Sequence, residues 1–251
     1  MILSKKHKFI FIKGKKVAGT SIEVLLSHLC GNQDIVTPIT PIDERSRFHS
    51  SGTCAQNYAC NPEEHHSFIS LIKSNNDKEL ENILLPKGKY YNHMPLKEVL
   101  YLQKDISEDW LVFAAERDPY SKIISYANMQ IKFNEYLNDG KPMLSDLKSL
   151  KHQIERNFDD GTYLDVKNID LYKDPSNIIK TVIIKYDDLD NQLSEIISQL
   201  GIINHPPLKQ YKAGLSSNKI DPFSIYTKKQ LHQINETFEE EFLQFDFNFL
   251  E

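Results

Sequence analysis

Cysteine is scarce in this chain: Cys30, Cys54 and Cys60 are the only three among 251 residues. An odd, sparse set builds no disulfide framework and fits a reducing compartment, so a cytoplasmic protein is expected. Long hydrophobic runs are missing as well, and nothing approaches the roughly 18–20 apolar residues of a membrane span. The basic opening MILSKKHKFIFIKG carries only Phe9–Ile12 as an apolar stretch, against about 7–15 residues in a secretory signal. Positive charge is not in excess either. The formal net charge is −5, which excludes a general attraction to nucleic acid or anionic membranes. Any anion site must therefore be built locally. There is no internal repeat and no low-complexity linker.

What remains is ordinary globular material, 40% hydrophobic and 26% charged, of a length that suits one α/β domain over 1–251. Phe9-Ile10-Phe11-Ile12 predicts a buried strand, and Trp110–Ala115 and Thr181–Ile184 predict two more. KYYNHM reads as a further short strand. Ile22, Leu25, Leu26 and Leu29 recur at helical spacing, and Gly31 is placed to end that helix. Other helices are predicted from Pro95, from the Asp118-Pro119 cap pair, over DNQLSEIISQLG and from Tyr226. Weaker helical patterns occupy parts of 67–85 and 144–158. Residues 32–66, with Pro38, Pro41 and Pro62, read as an irregular stretch, and 138–175 as polar and ambiguous. Long segments of this kind are often functional, and these two are expected to shape a ligand site. Strands alternating with helices imply a three-layer α/β fold with a mostly parallel central sheet flanked by helices.

The chemistry starts at KGKKVAGTS, residues 13–21. A strand, a glycine turn and a helix start aim backbone N–H groups and the positive end of a helix dipole at one point. Gly19 allows close approach, Thr20 and Ser21 can donate hydroxyl hydrogen bonds, and Lys16 can reach the same anion. Taken alone, the stretch is equally a plain glycine turn with solvated lysines. Gly14 and Gly19 have the spacing of a nucleotide-binding loop, but Thr20 stands where a phosphate-binding lysine would follow the second glycine. The core strands also lack a plain acidic ending suited to holding magnesium, although KYDDL comes near. Both points turn the reading away from a metal triphosphate. A second constellation, RDPYSKIISY, follows the strand at 110–115. Arg117 leaves the strand end as a fork suited to phosphate, and Ser121 and Ser125 share one helix face. Here too a simple Arg–acid pair is an open alternative.

Together these stretches resemble the sulfotransferases that use 3′-phosphoadenosine-5′-phosphosulfate (PAPS), and most closely the carbohydrate (heparan/chondroitin-type) branch in a bacterial-type form. That family's first loop follows an apolar strand as Lys, any residue, Ala, Gly, Thr, Ser. Lys16-Val17-Ala18-Gly19-Thr20-Ser21 matches it position by position. Its second motif is Arg, any residue, Pro, with a Ser eight residues after the Arg and then Tyr, as at Arg117, Pro119, Ser125 and Tyr126. Gly14-Lys15 departs from the apolar-then-proline pair common in the family. The resemblance implies a P-loop-like fold, with the 5′-phosphosulfate on residues 16–21, Lys16 at the bridging oxygen, and the 3′-phosphate on Arg117 and Ser125. It also implies a late segment that closes over the donor, which makes Lys219 a candidate.

Sulfuryl transfer needs a base for the acceptor and a cation for the leaving oxygen. Lys16 suits the second role. His93, in His93-Met94-Pro95-Leu96, resembles the His–apolar–Pro run found between the two donor motifs of the carbohydrate branch and is the candidate base. His49, His65, His66 and Glu116 are the reserves. Arg45, Arg47, His49, His65 and His66 could meet an acidic acceptor, although plain surface solvation is the favoured reading of Arg45, Arg47 and His49. Cys54, Cys60, His65 and His66 match no familiar metal-ligand spacing, so no metal is expected. A magnesium-dependent kinase and a nucleotide-binding module without transfer activity remain the competing readings. The acceptor, a small molecule or a saccharide, is not specified by the sequence.

Overall fold

The computed structural model describes residues 1–74, 77–80, 83–137, 146–208 and 220–251. In chain order the elements are β1 (Ile2–Ser4), β2 (Phe9–Ile12), α1 (Gly19–Ser27), β3 (Ile35–Val36), α2 (Pro41–Ser51), α3 (Pro62–Lys73), α4 (Asp77–Leu80), α5 (Leu96–Leu102) and β4 (Leu111–Glu116). They continue as α6 (Pro119–Leu137), α7 (Leu147–Asp159), α8 (Ile169–Tyr172), β5 (Thr181–Lys185), α9 (Leu189–Gln199), α10 (Pro222–Ile225), α11 (Lys228–Thr237) and α12 (Glu239–Gln244). The described residues form two compact units, one of 1–13, 18–115 and 170–208, the other of 14–17, 116–169 and 220–251.

The first unit holds a five-stranded sheet in the order β3-β1-β2-β4-β5. The expected parallel pairing is that of β2 with β4, where Phe9 faces Leu111 and Ile12 faces Ala114. All four residues of β2 are buried, as a strand covered on both faces requires. Phe113 fills the space between Phe9 and Phe11, with ring centroids 5.9 and 5.4 Å away. Helix α1 packs on β1 and α9 on β5.

Strand β1 is a finding that the sequence reading lacks. It pairs antiparallel with β2 and with β3. The lysines between β1 and β2 form the turn of a hairpin. That turn has none of the usual Asn-Gly or Gly-containing turn residues. Two of its amides are satisfied from a distance: buried Asp34 accepts from Lys5 N at 2.7 Å and Lys6 N at 3.1 Å, and also from Ser4 Oγ at 2.8 Å and Gly31 N at 2.8 Å.

Two predicted features are corrected. Residues 32–66 are not irregular. They contain β3, α2 and the start of α3. Thr40 Oγ1 caps α2 by accepting from Asp43 N at 3.4 Å, and Asn61 Oδ1 caps α3 by accepting from Glu63 N at 2.9 Å, each with a proline at the next position. KYYNHM is not a strand. The Tyr58 carbonyl accepts from both Lys89 N (2.7 Å) and Tyr90 N (3.2 Å), and a carbonyl that takes two successive amides bends the chain instead of extending a ladder.

The second unit is helical. A core of Tyr120, Ile123, Ile124, Ala127, Leu150, Ile154, Leu231, Ile234, Phe238 and Phe242 binds α6, α7, α11 and α12. Asp118 caps α6 as expected, accepting from Ser121 N at 2.9 Å. The expected terminal helix is divided into α11 and α12, and Thr227 and Gln230 close a reciprocal capping box at the start of α11.

Replacing Asp34 with Ala should lower stability by roughly 2–4 kcal/mol, because four donors lose one charged acceptor. Asp34→Asn, which keeps one oxygen, should cost less. Denaturation midpoints measure both, and equal midpoints for wild type and Asp34→Ala would disprove the account of the turn.

Candidate active site

The glycine stretch joins the end of β2 to α1. Its first fixed point is Lys13, whose side chain runs beneath Gly19. A Cβ at position 19 would lie 2.6 Å from Lys13 Cγ and 2.9 Å from Lys13 Cε, closer than packed atoms come. Gly19 is therefore required by its own neighbour, independently of any ligand. Lys13 Nζ ends on Glu23 Oε2 at 2.6 Å. Glu23 also receives the Met1 amino group, and Arg47 Nη2 lies 3.8 Å from it. Burial alone would raise the Glu23 carboxyl, but Lys13, the Met1 amino group and Arg47 together hold it down at about 2. Burial pulls Lys13 below its usual value, opposed by Glu23.

Further along the stretch the backbone is strained. Lys16 and Ala18 have φ of 63° and 58°. For residues with a side chain this left-handed region costs about 1–2 kcal/mol each. Ala18 precedes α1 and offers no capping oxygen, and the first turn of α1 holds no acidic residue. The first intrahelical bond is Ile22 N to Ala18 O at 3.2 Å, so the preceding amides open the helix at its positive end. Lys16 and Thr20 are half-buried and Ser21 is buried. This is a helix start with a lysine before it, no carboxylate in its first turn and no side-chain cap, a donor set that fits a phosphate or sulfate.

His93 belongs to the same unit as Lys13, Gly19 and Glu23. Its Nδ1 lies 3.0 Å from the Lys13 carbonyl. A carbonyl only accepts, so Nδ1 carries the proton and Nε2 holds the lone pair. His93 also has a positive φ, 59°. Of the seven non-glycine residues with positive φ among those described, Lys16, Ala18 and His93 are three, which places strain where function is expected. Burial, and then the charge of Lys13, pull the imidazole down to about 4. It is neutral at pH 7.

In the second unit Arg117 and Ser125 are both half-buried. Ser125 lies one helical turn beyond Ser121 on α6, and the neighbouring Tyr126 donates to Asp165 Oδ2 at 2.9 Å, which anchors this stretch of the helix. The Lys15 backbone of the glycine stretch is also in this unit. It is held on both sides by Asn168, whose Oδ1 accepts from Lys15 N at 2.8 Å and whose Nδ2 donates to Lys15 O at 3.0 Å.

Several candidates prove structural. Arg47 is fully buried and donates to Thr37 O at 3.2 Å and Glu44 Oε1 at 3.3 Å. Arg45 closes the end of α3, donating to Ile72 O at 3.3 Å and Leu71 O at 3.2 Å. Neither is available to an acidic acceptor. Glu116 is fully buried and pairs with Lys122 Nζ at 2.9 Å, so it is no reserve base. His49 and His66 are exposed on α2 and α3. His65 packs edge-on against Tyr58 at 5.3 Å and lines a cavity of about 370 Å³ with Cys54, Gln56 and Lys73. Lys219 lies outside the described residues, as do residues 138–145 of the 138–175 segment. Sequence reading missed Lys13, Glu23 and Asn168. Glu23 had a signal: it is the one charge in the otherwise uncharged run GTSIEVLLS that forms α1.

No protein-family model matches the chain, and no curated protein matches it. Among solved structures, a sulfotransferase domain from the curacin biosynthetic pathway is similar at 15% identity and a TM-score of 0.32, over 86% of this chain and 81% of that one. A likeness that loose assigns neither fold nor chemistry here. No described helix is long and apolar enough to cross a membrane.

Glu23→Gln should cost about 3–5 kcal/mol, because it leaves Lys13 as a buried charge without its carboxylate, whereas Arg47 keeps Glu44. The same groups set the acid limit. Glu23 contributes stability above its ordinary value of 4.5 that is lost as the pH falls toward 2. The unfolded chain protonates His93 near 6.5 while the folded chain resists to about 4, so stability also falls across that window. Urea titrations at stepped pH should show the loss between 6.5 and 4 shrink in His93→Gln. An unchanged slope there would contradict the neutral, tethered imidazole.

Proposed function

We propose that this chain is a sulfotransferase that moves a sulfuryl group from PAPS to a hydroxyl, or to an amine or guanidine nitrogen, of a small-molecule or saccharide acceptor by in-line displacement without a metal. The observation that carries the reading is the His93 Nδ1 contact with the Lys13 carbonyl at 3.0 Å. It brings a candidate base, 80 positions away, to the mouth of the glycine stretch, with the Nε2 lone pair left to act. The parallel β2–β4 register adds support within the first unit, because the glycine stretch begins at the carboxyl end of one of these adjacent strands. Open α/β sheets bind ligands at such ends.

The donor supplies an activated sulfuryl group with a stable phosphate to leave. The helix-start amides of α1, with Thr20 and Ser21, hold its 5′ side in a P-loop-like cradle, and Arg117 and Ser125 hold the 3′-phosphate that distinguishes it from ATP. His93 Nε2 takes the acceptor's proton as the acceptor atom bonds to sulfur. The Lys16 ammonium meets the charge that grows on the phosphate oxygen as the old S–O bond breaks, and adenosine 3′,5′-bisphosphate leaves. A neutral imidazole depressed to about 4 is a weak base until an anion lies beside it. Negative charge favours the imidazolium and lifts its proton affinity toward neutrality.

Adenosine 3′,5′-bisphosphate should raise the melting temperature without magnesium, and ADP should not. Equal shifts, or a shift that requires magnesium, would favour a kinase. Lys16→Ala should lower kcat by about 100–1,000-fold with little change in donor affinity. Arg117→Ala should weaken donor binding by about 10–100-fold. The reverse pattern would refute these roles, and donor binding by a chain with no transfer to any acceptor would favour the binding module. The acid limb of kcat/KM should fall near 4, with that of kcat at higher pH.

A further inference from the structure

Asn168 is fully buried, and its side-chain amide occupies both backbone hydrogen-bonding groups of Lys15, at 2.8 and 3.0 Å. The amide is itself held: Nδ2 lies 3.2 Å from Glu116 Oε2. The Asn168 backbone N–H donates to Glu241 Oε1 at 2.6 Å, and Ile169 N to the same oxygen at 3.1 Å. Lys122 bridges the two carboxylates, with Nζ 2.9 Å from Glu116 Oε1 and 2.5 Å from Glu241 Oε2. Glu116, Lys122 and Glu241 are all fully buried. Four buried side chains thus form one network, and Asn168 carries it to the backbone of one loop residue. The next residue is Lys16, whose positive φ has to be imposed by its surroundings.

We propose that Asn168, braced by Glu116, Lys122 and Glu241, is a positioning residue for Lys16: it fixes the Lys15 backbone so that the Lys16 ammonium is presented to the leaving oxygen. The role of Lys16 rests on the function proposed above, whereas the brace itself does not. Only a primary amide can serve. It offers an acceptor to Lys15 N and donors to Lys15 O and Glu116 together, whereas aspartate would set a carboxylate against a carbonyl and another carboxylate.

The test joins hydrogen exchange to kinetics. In Asn168→Ala the amides of residues 15–17 should exchange at least about tenfold faster, with protection in the β2 and β4 core unchanged. Its kcat should fall about 10–100-fold with the acceptor KM held. The double variant Lys16→Ala/Asn168→Ala should be no slower than Lys16→Ala alone, because Asn168 acts through Lys16. Asn168→Ser, which keeps a donor and an acceptor on a shorter arm, should fall between and serves if Asn168→Ala does not fold. Unchanged exchange at 15–17 overturns the brace. Faster exchange with additive kinetic losses overturns the positioning role. Faster exchange in a protein whose wild type binds no adenosine 3′,5′-bisphosphate upholds the brace and defeats the functional reading.

Discussion

The buried pair of Lys13 with Glu23 is the interaction on which the first unit's site depends. A lysine and a carboxylate in contact at 2.6 Å, both nearly removed from water, are tolerated only because their charges compensate. The pair then does three local jobs. The aliphatic part of Lys13 occupies the space that makes residue 19 a glycine. Its carbonyl fixes the tautomer of His93. Glu23 draws in Arg47 and the Met1 amino group, so the start of β1 and the bodies of α1 and α2 are referred to one point. A hydrophobic replacement of similar volume could be as stable, but it would lose this convergence. The arrangement is better understood as specifying a geometry than as adding stability.

The second unit repeats the device with the signs reversed. There a lysine, Lys122, is held between two carboxylates, Glu116 and Glu241, and burial raises Glu116 above its ordinary range in spite of Lys122. The balance is completed by neutral donors: the Arg117 amide at 2.8 Å, the Asn168 amide and the Asn168 and Ile169 N–H groups. In each unit a buried ionic cluster fixes one part of the glycine stretch, Lys13 in one and Lys15 in the other. A loop with left-handed residues at 16 and 18 would relax if left to itself. In the second unit the hold on Lys15, the residue before Lys16, is what lets the strain at Lys16 persist.

How much of this the sequence showed follows from where each signal lies. Strands β2, β4 and β5 were legible because their branched and aromatic residues run together, and α6 because Asp118-Pro119 is a cap and a first-turn proline in adjacent positions. Helices α2 and α3 carried the same signature at Thr40-Pro41 and Asn61-Pro62, but prolines scattered through a polar segment read as loop punctuation. Strand β1 is three residues long, and its turn depends on Asp34, remote in sequence, so no local window contains the cause. KYYNHM has the composition of a strand, but its amides turn to Tyr58. The residues proposed to touch an anion, Lys16 and Gly19–Ser21, were legible from glycine spacing and from the loop's resemblance to a known motif. The groups that hold them, Glu23 and Asn168, were not, because a buried charge and its partners are joined only by the fold. Arg45 and Arg47 show the converse error: a cation in a polar segment suggests solvent, yet α2 turns both inward.

His93 shows how these constraints combine into a chemical property. Its ring is neutral because it is part-buried and because Lys13 stands beside it, and both conditions come from the same anchor that orients it. If His93 is the base proposed above, it is weak in the empty protein, where the nearby charge is positive, and would be stronger when an anion offsets that charge. Proton affinity and anion binding are then linked through Lys13: whatever raises one raises the other by the same free energy. On the function proposed for this chain, water that reaches the imidazole without the anion would meet a poor base, whereas an acceptor that arrives with the anion in place would meet a better one. Selective activation of this kind requires only that His93 and Lys13 remain tied, and the single hydrogen bond to the Lys13 carbonyl is what ties them.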